Sequence, residues 1–180
     1  MVYKLTVATD GSCLSNPEGA MGWAVVDEKG NVQSGGAPNG TNQIAELTAV
    51  YVALQVYKDV ENLKIMSDSN YAIKASSEWV KKWRQNGWRN SDDKPIANLA
   101  IIQAIYHEME MHRGIVEFEW VKGHNGDLMN EKADTHARAA AESYKSNPAK
   151  EIQMPKVAKE LVREKYAHLL RGGTESLTLF

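Results

Sequence analysis

Two apolar, β-prone segments that each end in an aspartate constrain the fold of this chain more than any other feature. Residues 5–10 read LTVATD and residues 63–68 read LKIMSD, which places Asp10 and Asp68 at their ends. Such short apolar runs indicate strands that are buried on both faces, as in an α/β sheet. Ligands of these sheets collect beyond the carboxyl ends of the strands, so both aspartates are candidate site residues. Each aspartate alone could instead form a turn or cap a helix.

The periodicity of the other residues predicts one α/β domain. Strands are expected at residues 5–9, 22–27, 32–35, 63–68 and 116–122, and helices at residues 42–58, 71–86, 95–112, 130–144 and 155–171. This order predicts a mixed five-stranded sheet with helices packed on both faces. The composition turns polar near residue 146. We place the boundary there, between a domain of residues 1–146 and a C-terminal extension of residues 147–180 that holds the last helix and a terminal peptide.

Composition limits the cellular setting of the protein. The chain has 180 residues and one cysteine, Cys13, which cannot form an internal disulfide and fits a reducing compartment. No apolar run approaches the roughly 18 residues of a membrane helix, and residues 1–10 lack the apolar core of a signal peptide. We therefore expect a cytoplasmic monomer that does not associate with membranes. The net charge of −2 argues against a general nucleic-acid coat protein. The net charge is only weak support for this exclusion, because local charge and not net charge decides what a surface attracts.

Glu46 and Asp134 join the two aspartates as candidate metal ligands. Glu46 lies on a predicted helix with almost no other charge, NQIAELTAVYVAL, and Asp134 lies beside the alanine-rich face of NEKADTHARAAA. A buried carboxylate costs several kcal/mol unless it is paired or binds a metal, although both residues could instead be solvated helix acids. Four acids without matching internal cations indicate an external cation. Oxygen ligands favour Mg²⁺ or Mn²⁺ over zinc.

Five short motifs follow one another along the chain: TDGSCLSNP, AEL, SDSNY, WVKGHNG and NEKAD. Together they resemble the ordered motif set of type 1 ribonuclease H, over about residues 4–145. The resemblance implies the ribonuclease H-like fold and endonucleolytic hydrolysis of the RNA strand of RNA–DNA hybrids, which leaves 5′-phosphate and 3′-hydroxyl ends. It also implies the roles of five residues. The catalytic metal ligands are Asp10, Glu46, Asp68 and Asp134, and the catalytic histidine of a mobile loop is His124.

The resemblance further implies a reaction that uses two divalent ions. Two ions about 4 Å apart can clamp a scissile phosphate, one activating the attacking water and the other stabilising the leaving 3′-oxygen. Asp10 is expected to bridge both ions. Glu46 and Asp68 would complete the ligands of one ion, and Asp134 those of the other. Mg²⁺ is the expected cofactor, and Mn²⁺ can substitute for it.

His124 is expected to move a proton. It lies between Gly123 and Gly126, so its loop can swing. A histidine in such a loop suits proton transfer at the leaving group or assistance in product release. A loop histidine without a role is the alternative.

Residues around the candidate acids are expected to contact the nucleic acid. In the family, the glutamate that corresponds to Glu46 also contacts a ribose 2′-hydroxyl, the group that distinguishes RNA from DNA. Neighbouring candidates for contacts with ribose, base edges or a DNA phosphate are Ser12, Cys13, Asn16, Thr41, Asn42, Gln43, Asn70 and Asn98. Helix capping is the alternative for Asn42, Gln43 and Asn70. Glu18, where a small residue is common in the family, places an acid near the expected nucleic-acid path.

Residues 79–94, which we call the basic segment, are expected to bind the DNA strand. The segment carries five cations against two acids, and cations interleaved with aromatic rings bind phosphates and sugars. It resembles the basic protrusion of many type 1 enzymes. The candidate contacts are Trp79, Lys81, Lys82, Trp83, Arg84, Trp88 and Arg89. Alternatively, Trp79 and Trp83 simply pack as one stripe of a helix.

The terminal peptide SLTLF resembles the short peptide by which bacterial replication and repair enzymes bind the sliding clamp, whose usual form is QLxLF. Leu177, Leu179 and Phe180 would insert into a pocket of the clamp, with Ser176 in place of the usual glutamine. Such a tether would raise the effective concentration of the enzyme near fresh primers. Alternatively, these side chains pack on the surface of the enzyme itself.

Two other functions are open on the sequence alone. A DNA-cutting nuclease of the transposase or junction-resolvase type would share the fold, although the DGSC, AEL and KGH motifs oppose it. A non-catalytic module that binds hybrids would have no reason to retain the four acids. Nucleotide hydrolysis, dinucleotide binding and α/β-hydrolase chemistry have no support, because the chain contains no P-loop, GxGxxG or GxSxG motif.

Overall fold

Five strands form one mixed sheet within residues 4–169, the residues that this computed structural model describes. They are β1 Lys4–Cys13, β2 Met21–Asp27, β3 Val32–Ala37, β4 Asn62–Ser67 and β5 Ile115–Trp120. The strand order is β3-β2-β1-β4-β5. β2 is antiparallel to β1 and β3, whereas β4 is parallel to β1 and β5. The predicted mixed five-stranded sheet is therefore confirmed.

Helices cover the sheet because β1 is apolar on both of its faces. They are α1 Asn42–Val56, α2 Asn70–Lys74, α3 Val80–Gln85, α4 Leu99–Met111, α5 Leu128–Ser146 and α6 Lys156–Lys165, with a π-helical turn at Ala75–Trp79. Side chains alternate across a strand. Accordingly, Leu5 and Val7 pack in one core with Leu47 of α1, whereas Ala8 packs in another with Ala133 of α5.

β1 continues beyond its predicted end. Its antiparallel pairing with β2 extends to Cys13, whereas its parallel pairing with β4 last joins Ala8 to Met66. The expectation that Asp10 terminates the strand is therefore wrong. Asp10 lies within β1 but beyond the last residue of β1 that pairs with β4, so β4 does not flank it. Asp68 follows β4 directly, as predicted.

α4 begins later than predicted. The sequence places its start at residue 95, but the helix starts at Leu99. Before it, Arg89 and Pro95 form an isolated β-bridge, and Asn98 has a left-handed backbone with φ of 60°. The bridge holds the chain extended at Pro95, so the helix cannot begin there.

Residues 147–169 pack on the sheet, on α4 and on the start of α1. The N–H of Gln153 donates to the carbonyl of Gly36 at 3.1 Å, and the carbonyl of Gln153 accepts the indole N–H of Trp23 at 2.9 Å. This anchors the segment to β2 and β3. The buried side chains of α6 and of the turn after it are Ala158, Val162 and Tyr166.

α6 ends at Lys165 with Tyr166 as its C-cap, and the last residues of the predicted helix, 170 and 171, lie outside the described residues. The predicted clamp-binding side chains, Leu177, Leu179 and Phe180, lie outside the described residues. Within residues 4–169, no helix has the length and apolar character needed to cross a membrane.

Candidate active site

Asp10 places a carboxyl group in the protein interior, close to other acids. Only 4% of its surface is exposed, and β1 holds it opposite Ala24 of β2. Burial, followed by repulsion from Asp68 and Asp134, raises the pKa of Asp10 to about 8. The charged form of this carboxylate is therefore unfavourable unless a cation compensates for it.

Glu46 reaches Asp10 because α1 packs directly on β1 at Gly11. A side chain at Gly11 would collide with the backbone of Ala45 and Glu46, so glycine allows the close approach. Burial raises the pKa of Glu46 well above its ordinary value, and Asp10 and Asp68 raise it further. The Oε2 atom of Glu46 is buried and has no hydrogen-bond partner within the described residues. An oxygen left without a partner in this way is suited to binding a metal.

Three carboxylates converge on one point, and the fourth predicted acid lies beside them. Asp10, Glu46 and Asp68 each offer one oxygen, and these atoms lie within 4.8 Å of one another. Asp134 of α5 lines the same cleft, which has a volume of about 410 Å³. It is half-buried and accepts a hydrogen bond from Arg138 at 3.4 Å. An all-oxygen donor set that includes the unpartnered Glu46 oxygen fits a hard divalent cation such as Mg²⁺.

His124 lies in the loop between β5 and α5, which passes next to the acids. A Cβ atom on Gly123 would lie 2.9 Å from Oδ2 of Asp68, so the loop touches the site at that point. His124 itself is exposed and has a left-handed backbone with φ of 56°. The loop ends where Asp127 caps α5 by accepting the N–H of Asn130 at 2.8 Å. The fold therefore presents this imidazole to solvent from a loop that borders the cleft.

Hydrogen bonds join three of the predicted contact residues near the acids. The N–H of Cys13 donates to Oδ1 of Asn42 at 2.8 Å, and the N–H of Asn42 donates to Oδ1 of Asn16 at 3.1 Å. Thr41 is the N-cap of α1, because its hydroxyl oxygen accepts the N–H of Ile44 at 3.0 Å. Helix capping therefore does not explain Asn42, whose side chain instead binds the end of β1.

A second group of predicted contact residues lies at the start of α4. The side-chain amide of Asn98 donates to Oε1 of Gln43 at 3.2 Å and to the hydroxyl of Tyr71 at 3.1 Å. Gln43 and Tyr71 both line the cleft that contains the acids. Capping does not explain Asn70 either, since Ser69 is the N-cap of α2.

Sequence reasoning overlooked two aromatic residues at the site. Tyr71 lines the cleft, and the indole N–H of Trp120 donates to the carbonyl of Asp68 at 3.1 Å. Tyr71 ends the motif SDSNY and Trp120 begins the motif WVKGHNG. Their positions beside the candidate residues Asp68 and His124 in these motifs could have indicated a place at the site. Ser12, which was predicted to contact substrate, continues β1 opposite Gly22.

In the basic segment, the tryptophans pack inward and the cations face solvent. The ring centroids of Trp79 and Trp83 are 5.7 Å apart, and both rings and that of Trp88 pack against the main core. All five cations of the segment are exposed: Lys81, Lys82, Arg84, Arg89 and Lys94. Arg89 also forms an ion pair with Asp93 at 2.7 Å. The helix stripe and the basic surface therefore coexist, with the rings anchoring the segment that carries the cations.

The mixed sheet and the cleft shared by acids of β1, α1 and α5 place the protein in the ribonuclease H-like class of α/β proteins. Comparison with known families identifies it further. A family model described as RNase H matches residues 3–142. The chain therefore belongs to the ribonuclease H family and is a ribonuclease.

Individual relatives agree with this assignment. The chain is 40% identical to the ribonuclease H of Tropheryma whipplei (strain Twist) over 147 residues, which cover 81% of this chain and 89% of that protein. It resembles the solution structure of the PFV RNase H domain with a TM-score of 0.67 and 23% identity, covering 79% of this chain and 97% of that chain. A foamy viral protease-reverse transcriptase in complex with an RNA/DNA hybrid is similar with a TM-score of 0.66 and 22% identity, covering 79% of this chain and 20% of that chain. At these identities the two structures support the fold alone.

Proposed function

We propose that this protein is an endonuclease that hydrolyses the RNA strand of RNA–DNA hybrids and leaves 5′-phosphate and 3′-hydroxyl ends. One observation carries the proposal: oxygens of Asp10, Glu46 and Asp68 lie within 4.8 Å of one another in a cleft that Asp134 also lines. Membership of the ribonuclease H family supports the same reaction. The similar foamy viral enzyme, which holds an RNA/DNA hybrid, supports the choice of substrate.

The four acids would hold the metal. When bound, two Mg²⁺ ions would supply an activated water and charge stabilisation at the leaving 3′-oxygen, and Mn²⁺ would substitute. Asp10 lines the same cleft as Glu46, Asp68 and Asp134 and would help to hold both ions. Burial and the neighbouring acids raise the pKa of Asp10 to about 8 and that of Glu46 well above its ordinary value, so a cation that favours their charged forms would release protons from the cluster. Metal binding and proton release are therefore coupled.

His124 would act at the leaving group. Its exposed position in a loop that touches Asp68 at Gly123 supports this role. A neutral histidine can accept a proton and a charged one can donate it near neutral pH. Here it would protonate the departing 3′-oxygen, or assist departure of the product.

Nucleic-acid contacts would come from two sides of the cleft. Next to the acids, the exposed Asn42 and Gln43 and their neighbours would contact the RNA strand in its wide, shallow minor groove. The corresponding candidates are Ser12, Cys13, Asn16, Glu46 and Asn70, with Thr41 and Asn98 placed for a DNA phosphate. The exposed cations of the basic segment would bind phosphates of the DNA strand and orient the hybrid without reading its sequence.

The cellular setting is proposed from the sequence. The lone Cys13 supports a cytoplasmic protein, which we expect to act as a monomer. The SLTLF peptide, residues 176–180, supports attachment to the sliding clamp. Loss of clamp binding when Leu177, Leu179 and Phe180 are replaced by alanine in the full chain is the expected result. Equal binding by the altered chain would remove the clamp proposal and leave the nuclease proposal intact.

The central experiment compares a hybrid with RNA and DNA duplexes of the same sequence, each with Mg²⁺, with Mn²⁺ or with a chelator. Only the RNA strand of the hybrid should be cut, only with metal present, and end labelling should show 5′-phosphate and 3′-hydroxyl products. Asp10→Asn should abolish cleavage but retain hybrid binding. Asp59→Asn, which changes an exposed acid outside the cleft, is the matched control and should retain both. Cleavage of duplex DNA in preference to the hybrid would instead indicate a DNA nuclease.

A further inference from the structure

The carbonyl oxygen of Gly40 lies where three segments of the chain meet. It accepts the N–H of Glu18 at 2.9 Å, the hydroxyl of Tyr166 at 3.2 Å and the thiol of Cys13 at 3.5 Å. The first donor belongs to the loop after β1, the second to the turn after α6, and the third to the end of β1. A single carbonyl thus connects the C-terminal extension to the edge of the cleft.

Gly40 leads directly into the residues that line the cleft. Thr41 and Asn42 follow it, and Asn42 is bonded to Cys13 at 2.8 Å and to Asn16 at 3.1 Å. The N–H of Gly40 also donates to the carbonyl of Gly19 at 3.0 Å. Residues 13–20 and 39–42 therefore form one hydrogen-bonded unit, which we call the paired loops. A movement of Gly40 would displace Asn16 and Asn42 together.

Gly40 has two contacts that hold it in place. Any side chain at Gly40 would collide with the side chain of Met21, so the glycine already touches β2. Its carbonyl accepts the hydroxyl of Tyr166. Tyr166 has only 2% of its surface exposed and packs in a small core with Met21, Ile44 and Val162. Its ring therefore cannot move without disturbing α6 and the start of α1.

The support behind Tyr166 is itself anchored. Gln153 bonds to Gly36 at 3.1 Å and receives the indole N–H of Trp23 at 2.9 Å, which fixes the approach to α6 on the sheet. The hydroxyl of Tyr144 adds bonds to the carbonyl of Glu151 at 2.6 Å and from the N–H of Gln153 at 2.9 Å. The segment before α6 is therefore immobilised at several points. The hydroxyl of Tyr166 joins this anchored segment to the paired loops, and Cys13 of the loops packs against the same small core.

We propose that Tyr166 is a positioning residue for substrate binding: its hydrogen bond to Gly40 holds the paired loops, and with them Asn16 and Asn42, in the arrangement that binds the RNA strand. The inference rests on the proposed function in taking Asn16 and Asn42 as substrate contacts. Tyr166 acts through Gly40 and touches neither the acids nor the substrate. The C-terminal extension thereby becomes part of the substrate-binding apparatus.

The test removes the hydroxyl alone, in Tyr166→Phe, and uses Tyr57→Phe as the matched control. Tyr57 is also a partly enclosed tyrosine whose hydroxyl donates a hydrogen bond, to Asp27 at 3.1 Å, but it lies at the other end of α1. Two measurements are made on the full-length proteins. Amide hydrogen exchange reports the loops in the free protein, and steady-state kinetics on an RNA–DNA hybrid separate KM from kcat.

In Tyr166→Phe we expect the amides of Glu18 and Asn42 to exchange about fivefold faster, as the loss of one neutral hydrogen bond predicts. We also expect KM for the hybrid to rise about fivefold with kcat unchanged. In Tyr57→Phe both quantities should match the unaltered protein. Unchanged exchange at these amides in Tyr166→Phe would overturn the proposal, and so would an equal rise of KM in both variants. Faster loop exchange in Tyr166→Phe alone, in protein that cleaves no hybrid, would uphold the constraint on the loops while refuting the proposed substrate.

Discussion

Replacing Asp10 by asparagine should stabilise the metal-free protein at neutral pH. The pKa of Asp10 is about 8 in the folded protein, against an ordinary value of 3.8 that applies when the chain is unfolded. Because the folded value is the higher one, the folded state holds the proton more tightly, and folding becomes less favourable as pH rises from about 4 to about 8. One pKa unit corresponds to roughly 1.4 kcal/mol. At pH 7 the unfolded chain has lost this proton and folding must take it up again, which lowers the free energy of unfolding by about 4 kcal/mol relative to acid pH. Asparagine has nearly the same shape and cannot ionise.

Urea denaturation at pH 4 and pH 7, with a chelator present, measures this effect. The free energy of unfolding of Asp10→Asn should exceed that of the unaltered protein by about 4 kcal/mol at pH 7 and by less than about 1 kcal/mol at pH 4, where the folded protein holds the proton of Asp10. Asp59→Asn, the exposed control, should change neither value. Saturating Mg²⁺ should then stabilise the unaltered protein, by about 2.7 kcal/mol at one hundred times its dissociation constant, and should stabilise Asp10→Asn much less.

One result would refute this reasoning directly. If Asp10→Asn were no more stable than the unaltered protein at pH 7 without metal, Asp10 would not be the buried, repelled carboxyl that the structure describes. Greater stability that was equal at both pH values would also count against it, because an ionisation effect must depend on pH.

Three further substitutions test individual contacts. Gly11→Ala should lower the free energy of unfolding by about 3 kcal/mol or more and reduce cleavage sharply, because its methyl group would collide with the backbone of Ala45 and Glu46; urea titration and hybrid cleavage measure both. Asp27→Asn should lower the free energy of unfolding by about 2 kcal/mol at pH 7. Burial raises the pKa of Asp27, but hydrogen bonds from Asn31, Tyr57 and Lys29 outweigh it and lower the pKa overall. The stabilisation by ionised Asp27 is therefore present above about pH 4 and is lost as pH falls through the folded pKa. In acid titrations the difference in free energy of unfolding between Asp27→Asn and the unaltered protein should shrink accordingly. Glu18→Gly should stabilise the protein by about 1 kcal/mol, since Glu18 has a φ of 77°, and should tighten hybrid binding at low salt by removing an exposed acid. Unchanged stability would show that the left-handed backbone at this position carries no strain.

Local patterns in the sequence predicted the elements that bury both faces of the sheet. The run LTVATD indicated a doubly buried strand because side chains alternate between the two faces of a strand, and before Asp10 the residues on each face are apolar or small. As predicted, β1 packs against α1 on one face and against α5 on the other. The isolated charge of Glu46 on an apolar helix indicated a site for the same kind of reason: a helix so apolar must be buried, and a carboxylate there needs a partner. Both inferences use residues that are close in sequence.

Features that depend on pairing between distant segments could not be predicted. The end of β1 was misplaced because it is set by pairing with β2 up to Cys13, and not by any change of composition at Asp10. Helix capping was left open for Asn42 because Thr41 and Asn42 are both good capping residues, and only the contact with Cys13 decides between them. The hydrogen bond from Tyr166 to Gly40 joins residues 126 positions apart, and no periodic signal marks either of them.

The acid cluster opposes folding, and two glycines show how the surrounding structure still brings it together. Gly11 allows the backbone of α1 to touch β1 on one face of the sheet, and Gly22 of β2 allows the backbone of α5 to approach at Ala137 on the other. These contacts lie at neighbouring points of the β1–β2 pair, since Gly22 is opposite Ser12, the residue after Gly11. Each helix therefore packs unusually close to the sheet beside Asp10. This close packing brings Glu46 to Asp10 from one face of the sheet and Asp134 from the other, and a bound cation would relieve the repulsion among their carboxylates.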